Sequence, residues 1–204
     1  MSNPRPRPTS LDDVLETIWT ELEIGANKAK HGFHQPVLAT TDADGTPRAR
    51  TVVLRRTDRA AGAVLCHTDA RSAKLDHVRA NPAASWCFYD KSKRIQVRAT
   101  GELSAHADDG IADDHWQRSP ARSRRCYLAP AVPGSPAGGP SPNLPADMTD
   151  REPTHEESEA GRPNFAVLRC TLRSLDYLEL YHDGHVRALF TRDDGGWTGT
   201  WTHP

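Results

Sequence analysis

Seven consecutive residues, Thr68-Asp69-Ala70-Arg71-Ser72-Ala73-Lys74, gather two hydroxyls, a carboxylate and two cations. An apolar run at 63–66 ends before them, and a short amphipathic run at 75–80 begins after them. The segment therefore reads as a strand-to-helix corner. Thr68, Asp69 and Ser72 are all favourable N-cap types, and a helix start leaves backbone N–H groups free to face an anion. Arg71 and Lys74 add full positive charge to the same turn, which suits a bound phosphate. The plainer reading is a capped helix with a solvated basic face, because caps are far commoner than phosphate sites. The neighbouring sequence separates the two.

Upstream lies Pro47-Arg48-Ala49-Arg50-Thr51-Val52-Val53-Leu54-Arg55, a β-type run with cations at both ends. Parity places Arg50 and Arg55 on opposite faces of a regular strand, so one of them needs a bulge or another role. Downstream, Arg94-Ile95-Gln96-Val97-Arg98 is a second β-type run centred on Gln96, whose amide offers a paired donor and acceptor. No Ser-His-Asp or Cys-His arrangement accompanies these groups, so covalent catalysis by the protein is not indicated. His31 and His34 lie three apart but lack a second ligand pair, and no metal site is expected. Cys66, Cys87, Cys126 and Cys170 are scattered without a C-x-x-C pair; three lie in apolar β-like runs and read as small buried thiols.

The whole chain bounds these readings. Its 204 residues suit one domain, and 16 prolines with 14 glycines point to long loops. A net charge of −1 gives no bulk attraction to nucleic acid or membrane. No stretch approaches a membrane span, and residues 1–10, polar and proline-rich, lack a signal-peptide core. Those ten residues are expected as a disordered arm, and the setting as a reduced cytoplasm.

The elements that must position the site follow in order. Ser10 reads as an N-cap, followed by Leu11, Val14, Leu15, Ile18, Trp19 and Leu22 at helical spacing, with Gly25 as the helix end. Strands are expected at 36–41, 47–55, 63–68, 84–89 and 95–103. Asp42-Ala43-Asp44-Gly45 and 57–62 form turns, and Asn81-Pro82 stops the short helix. Strands joined mainly by tight turns argue for an antiparallel barrel. A helix at 108–117 and a basic helical turn at 122–128 follow. The basic cluster lacks interleaved aromatics and sits in a neutral protein, so it reads as a solvated or interface helix. Residues 129–163 read as a long, partly disordered loop. Strands at 165–172, 175–181 and 186–192 follow, with Asp183-Gly184 as a hairpin and Trp197 and Trp201 closing one domain over 11–204.

The phrases Gly45-Thr46-Pro47-Arg48-Ala49-Arg50-Thr51-Val52-Val53-Leu54-Arg55 and Thr68-Asp69-Ala70-Arg71-Ser72-Ala73-Lys74, followed by Gln96, resemble the pyridoxamine 5′-phosphate oxidase-like FMN-binding split-barrel family. The resemblance covers about 35–127 and resumes from 165 to the C-terminus, and it is closest to the Alr4036-type branch. It implies a mainly β (α+β) antiparallel split barrel with a few flanking helices, and a homodimer holding FMN at the subunit interface. By position, Arg50 and Lys74 match the phosphate cations, Ser72 the helix-start hydroxyl and Thr68 a residue near the flavin. Arg55 matches a further cation, Gln96 the amide that meets the ring, and Tyr181 and Arg187 the C-terminal contacts. Thr51, Val52, Leu54 and His67 complete the implied cofactor-binding set.

Two departures are visible. Ala73 stands where B6-oxidising members carry another phosphate-binding Arg, and Asp183-Gly184-His185-Val186 replaces an Arg and His that precede the final cofactor Arg. Around 115–123, only Ser123 matches the substrate-binding set, with His115 or Trp116 near an expected Tyr. The resemblance thus implies an FMN-dependent oxidoreductase passing hydride to flavin, with unknown substrate and catalytic residues, and inefficient on B6 vitamers. The rivals are a non-catalytic FMN carrier or sensor, and a barrel that has lost FMN. Retention of Arg50, Ser72, Lys74, Gln96 and Arg187 argues against the last.

Overall fold

The computed structural model describes residues 6–204. Half of the arm expected at 1–10 lies outside the described residues, and 6–9 run without regular structure. Ser10 caps the first helix, α1 (Leu11–Asn27), accepting at Oγ from the Asp13 amide at 3.1 Å. Val14, Ile18, Trp19 and Leu22 are all buried on one face of it. Gly25, expected as the helix end, instead lies inside the last turn. A Cβ there would come 2.7 Å from the Phe33 Cβ, so the glycine lets α1 lie against a 3-10 turn at Gly32–His34.

The described residues form one nine-stranded antiparallel sheet. Its strands are β1 (Val37–Thr41), β2 (Pro47–Thr51), β3 (Leu54–Asp58), β4 (Ala63–Asp69), β5 (Ala83–Asp90), β6 (Ile95–His106), β7 (Phe165–Glu179), β8 (Val186–Asp193) and β9 (Gly196–Thr202). The path runs β2-β1-β5-β6-β7-β4-β3, with β8 and β9 added beside β7. The fork lies in β7. One edge of it pairs with β6 over 167–179, while the other edge pairs with β4 over 165–171 and with β8 over 174–179.

The two strands expected at 165–172 and 175–181 are therefore one. A register shift between Thr100 and Gly101 leaves Arg173 as the extra residue of a bulge. A Cβ on Gly101 would stand 2.2 Å from the Thr171 carbonyl oxygen, so only glycine keeps the strands paired there. β9, expected only as a closing segment, is a full strand on β8.

The run expected at 47–55 is two strands. Val52 and Val53 break it, so β2 stays on β1 while β3 crosses to β4 with a bulge between Leu54 and Arg56. That break removes the parity conflict between Arg50 and Arg55. The barrel interior is filled by Trp19, Phe33, Trp86, Phe88, Tyr177 and Phe190, each at most 2% exposed. Full burial of such side chains stabilises by about 1.5–3 kcal/mol each.

Four further helices flank the sheet: α2 (Lys74–Ala80), α3 (Gly110–Arg118), α4 (Ala121–Arg124) and α5 (His155–Ser158). The basic stretch at 122–128 is not simply solvated. Arg124 is 1% exposed and pairs with Glu159, so it is a structural cation. Residues 129–163 are largely irregular, but they contain the capping box of α5 (Thr154 with Glu157) and 3-10 turns at Ala146–Met148 and Glu159–Asn164. Among the described residues, no helix is long and apolar enough to cross a membrane.

Candidate functional site

A cavity of about 580 Å³ opens where β2 and β4 end, beneath the segment that follows α4. Arg50, Thr51 and Val52 line it from β2 and its end, His67, Thr68 and Asp69 from β4, and Lys74 from α2. The opposite wall is Arg122, Arg125, Cys126 and Tyr127, roofed by Pro133, Pro142, Asn143 and Leu144 of the long loop. A second cavity of about 780 Å³ shares Arg50, Lys74 and Pro133 with the first and adds Ser72.

The corner is built differently from a capped helix start. Ala73 occupies the N-cap position of α2 and makes no side-chain cap bond. The hydroxyls instead accept from Lys74, whose Nζ donates to Thr68 Oγ1 at 2.8 Å and Ser72 Oγ at 2.6 Å. Asp69 is engaged by Arg71: its carboxylate accepts from the Arg71 amide at 2.8 Å and from Nε and Nη2 at 3.0 and 2.7 Å. Arg71 also donates to the Ala129 carbonyl at 2.9 Å, so it fastens the loop and its charge is neutralised.

Arg50 donates only to neutral acceptors, Thr40 Oγ1 at 2.8 Å and the Leu38 carbonyl at 3.3 Å. Among the described residues, neither Arg50 nor Lys74 has a carboxylate partner. Burial, and next the Arg50 charge, hold Lys74 below the usual lysine range, and burial lowers Arg50 as well. Two half-buried cations with no bonded carboxylate among the described residues, the Asp69 charge acting on Lys74 only from a distance, and hydroxyls already aligned on one of them, form a donor set matched to a dianionic phosphate.

The imidazole of His67 on the same wall meets His115 of α3, Nε2 to Nδ1 at 2.9 Å, and packs edge-on to Phe165 at 4.8 Å between ring centres. Burial, then His115 and Arg55, push His67 down to about 3. Burial likewise raises Tyr127, and it pushes the Cys66 thiol up to about 12, so neither is an anion at neutral pH.

The other sequence-predicted site residues lie elsewhere in the chain. Leu54 is fully buried in the core. Arg55 stands exposed on β3, outside the cavity lining, but its field reaches His67, Cys126 and Tyr127. Gln96 and Arg187 share one row of the sheet through Leu178, half-exposed on its outer side. Arg187 holds Asp176 through Nε at 3.0 Å and Nη2 at 2.9 Å, and Arg98 takes the same carboxylate. Burial opposes the Asp176 charge, but the two arginines outweigh it and hold this carboxyl below its usual range. Tyr181 is buried beneath the Arg7 guanidinium, 4.7 Å from its ring centre.

His31 joins Glu21 and Asp90 in a buried cluster whose ligand-type atoms lie within 4.8 Å of one another. The Lys93 ammonium already bonds Glu21 at 2.5 and 2.7 Å, and Asp90 caps the 90–93 turn. His34 turns away to the Gly25 carbonyl at 2.7 Å.

Sequence reasoning missed the cavity wall formed by Cys126 and Tyr127 and the roof at 133–144. The one local signal was Asn143, a residue type that tolerates φ > 0. It adopts φ of 51°, and its side chain bonds both the amide and the carbonyl of Ala131 at 3.0 Å, closing the loop on itself.

The family described as "Pyridoxamine 5′-phosphate oxidase, FMN-binding domain" matches residues 16–107, which contain β2, β4, the corner and Gln96. A pyridoxine/pyridoxamine 5′-phosphate oxidase of Rhizobium meliloti is 33% identical over 82% of this chain and 81% of its own. The Myxococcus xanthus protein of the same name is 31% identical over 82% and 80%. The crystal structure of a pyridoxamine 5′-phosphate oxidase-related, FMN-binding protein from Nostoc punctiforme superposes with a TM-score of 0.70 at 28% identity, covering 93% of this chain and 96% of that one.

Proposed function

The chain belongs to the pyridoxamine 5′-phosphate oxidase FMN-binding family, and on that premise we propose that it is an FMN-dependent oxidoreductase. The observation that carries this reading is the pair of cations without a bonded carboxylate among the described residues, Arg50 and Lys74, beside the Thr68 and Ser72 hydroxyls. Arg50 would grip two phosphate oxygens with its planar fork, and Lys74 would swing its ammonium from the hydroxyls to a third. Thr51, Val52 and His67 would bound the ring end of the cavity, and Tyr127 with the 133–144 roof would exclude water from it. FMN held there would supply hydride-transfer redox chemistry toward a small organic substrate.

The remaining cofactor residues favour a homodimer. Gln96, Tyr181 and Arg187 do not line the cavity of their own chain, and Gln96 and Arg187 sit on an outer sheet face beside exposed Val37 and Tyr89. A two-fold partner would bring such a face to the other subunit's site. The substrate is proposed to differ from the B6 vitamers, because the turn Asp183-Gly184-His185-Val186 replaces the expected Arg and His, and its Asp183 is paired with Arg7.

The test begins with purified protein, which is expected to be yellow, to bind FMN stoichiometrically and more tightly than riboflavin, and to scatter light as twice the chain mass. Oxygen consumption with pyridoxamine or pyridoxine 5′-phosphate is expected to give kcat/KM below about 10⁴ M⁻¹s⁻¹. Riboflavin binding as tightly as FMN would sink the phosphate reading, and efficient turnover of either vitamer would refute the substrate claim.

A further inference from the structure

We propose that His67 and His115 form a two-imidazole proton relay joining the cavity to the α3 side of the barrel. The proposal rests on the FMN reading only for which reaction uses the proton. The rings meet at right angles with centres 5.1 Å apart, and the 2.9 Å bond engages His67 Nε2 and His115 Nδ1. One of these nitrogens must carry the hydrogen and the other must accept it, which couples the two tautomers.

In one state His67 carries its hydrogen on Nε2 and His115 carries its own on Nε2, leaving His67 Nδ1 as an acceptor. In the other state both rings carry hydrogen on Nδ1. Passing from the first to the second forms N–H bonds at His67 Nδ1 and His115 Nδ1 and breaks them at the two Nε2 atoms. A proton is taken from the cavity at His67 Nδ1 and one is released at His115 Nε2, with no net charge left on the pair. The reverse passage delivers a proton to the cavity.

The surroundings favour transmission over storage. His67 lines the cavity and is half-buried, while His115 is only 8% exposed. Arg55 faces His67, and Arg56, Arg118 and His106 face His115; all disfavour an imidazolium. Asp114 is the single opposing charge on His115 among these groups. Among the other titratable groups of the cavity wall, the arginines stay cationic and burial raises the Cys126 thiol. Asp69 is bonded to Arg71, Lys74 is a cation held by hydroxyls, and burial keeps Tyr127 protonated. Phe165 packs edge-on against the His67 ring, 4.8 Å between ring centres, on the wall that carries the bond.

The decisive experiment is NMR of histidine nitrogens in the full chain labelled with 15N-histidine, with and without FMN, between about pH 5.5 and 8.5. A relay gives two neutral rings whose nitrogen shifts are averages of the two tautomers. His115→Gln keeps a hydrogen-bonding partner but cannot pass a proton, so it should freeze His67 in one tautomer, as should His115→Phe. FMN affinity by fluorescence quenching should be unchanged in both.

Oxygen reoxidation of chemically reduced, FMN-loaded protein should slow about tenfold in both variants and lose its solvent deuterium effect. Rings locked in single tautomers in the wild type would overturn the relay, and so would rescue of reoxidation by His115→Gln, which would mark a merely positioning bond. The wild-type spectrum decides even if the variants fold poorly. Absence of FMN binding would strike the functional reading alone, since the tautomer measurement needs no cofactor.

Discussion

Arg50 with Lys74, and Arg124, are cations withdrawn from water and treated in opposite ways. Arg124 is 1% exposed and is answered at both Nη atoms, with Nε left without a partner among the described residues. Nη1 pairs with Glu159 and reaches Ser158 Oγ at 3.3 Å, Nη2 donates to the Trp116 carbonyl at 2.7 Å, and the guanidinium lies 4.5 Å from the Trp116 ring centre. Trp116 closes the circuit by donating Nε1 to Glu159 at 2.9 Å; that bond, ahead of Arg124, holds this carboxyl below its usual range. Among the described residues, Arg50 and Lys74 bond only hydroxyls and a carbonyl.

The difference is instructive because desolvating a cation without a bonded counter-ion costs stability that hydroxyls and the distant Asp69 charge return only in part. A fold keeps such an arrangement where a ligand completes it. A basic residue is thus classified by what faces it, and three outwardly similar arginines illustrate the range. Arg71 closes a loop on Asp69, Arg187 shares Asp176 with Arg98, and Arg50 faces open cavity.

The sharpest way to break this comparison is to remove each kind of cation. Replacing Arg50 and Lys74 with Ala together should weaken FMN binding by about 3–6 kcal/mol, or roughly 10²–10⁴-fold, since each charge-assisted bond is worth about 1.5–3 kcal/mol. The apoprotein should melt no lower, because a mutual repulsion has been relieved; isothermal titration and calorimetry read the two quantities. A large fall in apo stability with intact FMN affinity would mean that these cations are structural after all.

Arg124→Ala should behave in the reverse way. Loss of its packing against Trp116 and an unanswered carbonyl should cost about 2–4 kcal/mol, seen as a fall in melting temperature of roughly 5–15 °C. Glu159 is half-exposed and rehydrates, so the cost stays below that of a stranded buried charge. FMN affinity of the folded fraction should hold. Weakened binding without a stability change would erase the distinction between the two regions.

The smallest expected effect concerns the neutral member of the cation-lined wall. His67 has its folded pKa near 3, below the ordinary value of about 6.5, so the unfolded chain binds more protons between those values. Stability therefore declines as pH falls below about 6.5, by up to about 1.4 kcal/mol per pH unit for one such group. Urea melts of His67→Gln at two pH values on either side of 6 should show a shallower decline, by on the order of 1–2 kcal/mol. An unchanged pH dependence would show that His67 is protonated in the native state.

Much of this protein was legible in its sequence. Ser10 with its apolar stripe, the Asp-Gly turn and the alternation within β5 and β6 are short-range signals, and the helix, hairpin and strands follow them. The phrases around Arg50 and Lys74, through the family resemblance they carry, pointed to a candidate phosphate site, because they supply its donor types. What the sequence could not determine was the partner of each group. Whether Arg71 faces Asp69 or a ligand, whether Arg124 is solvated or sealed, and whether residues 133–144 roof the cavity all depend on which distant segments meet.

The fork of the sheet belongs to the same class. Residues 165–179 look like two strands until β6 holds them along one edge while β4 and β8 divide the other. The His67–His115 bond spans 48 residues of chain and has no local signature at either end. Periodicity and turn chemistry act over a few residues and are written into the chain. Burial, counter-ions and shared protons are properties of contacts, and only the closed barrel brings those contacts into being.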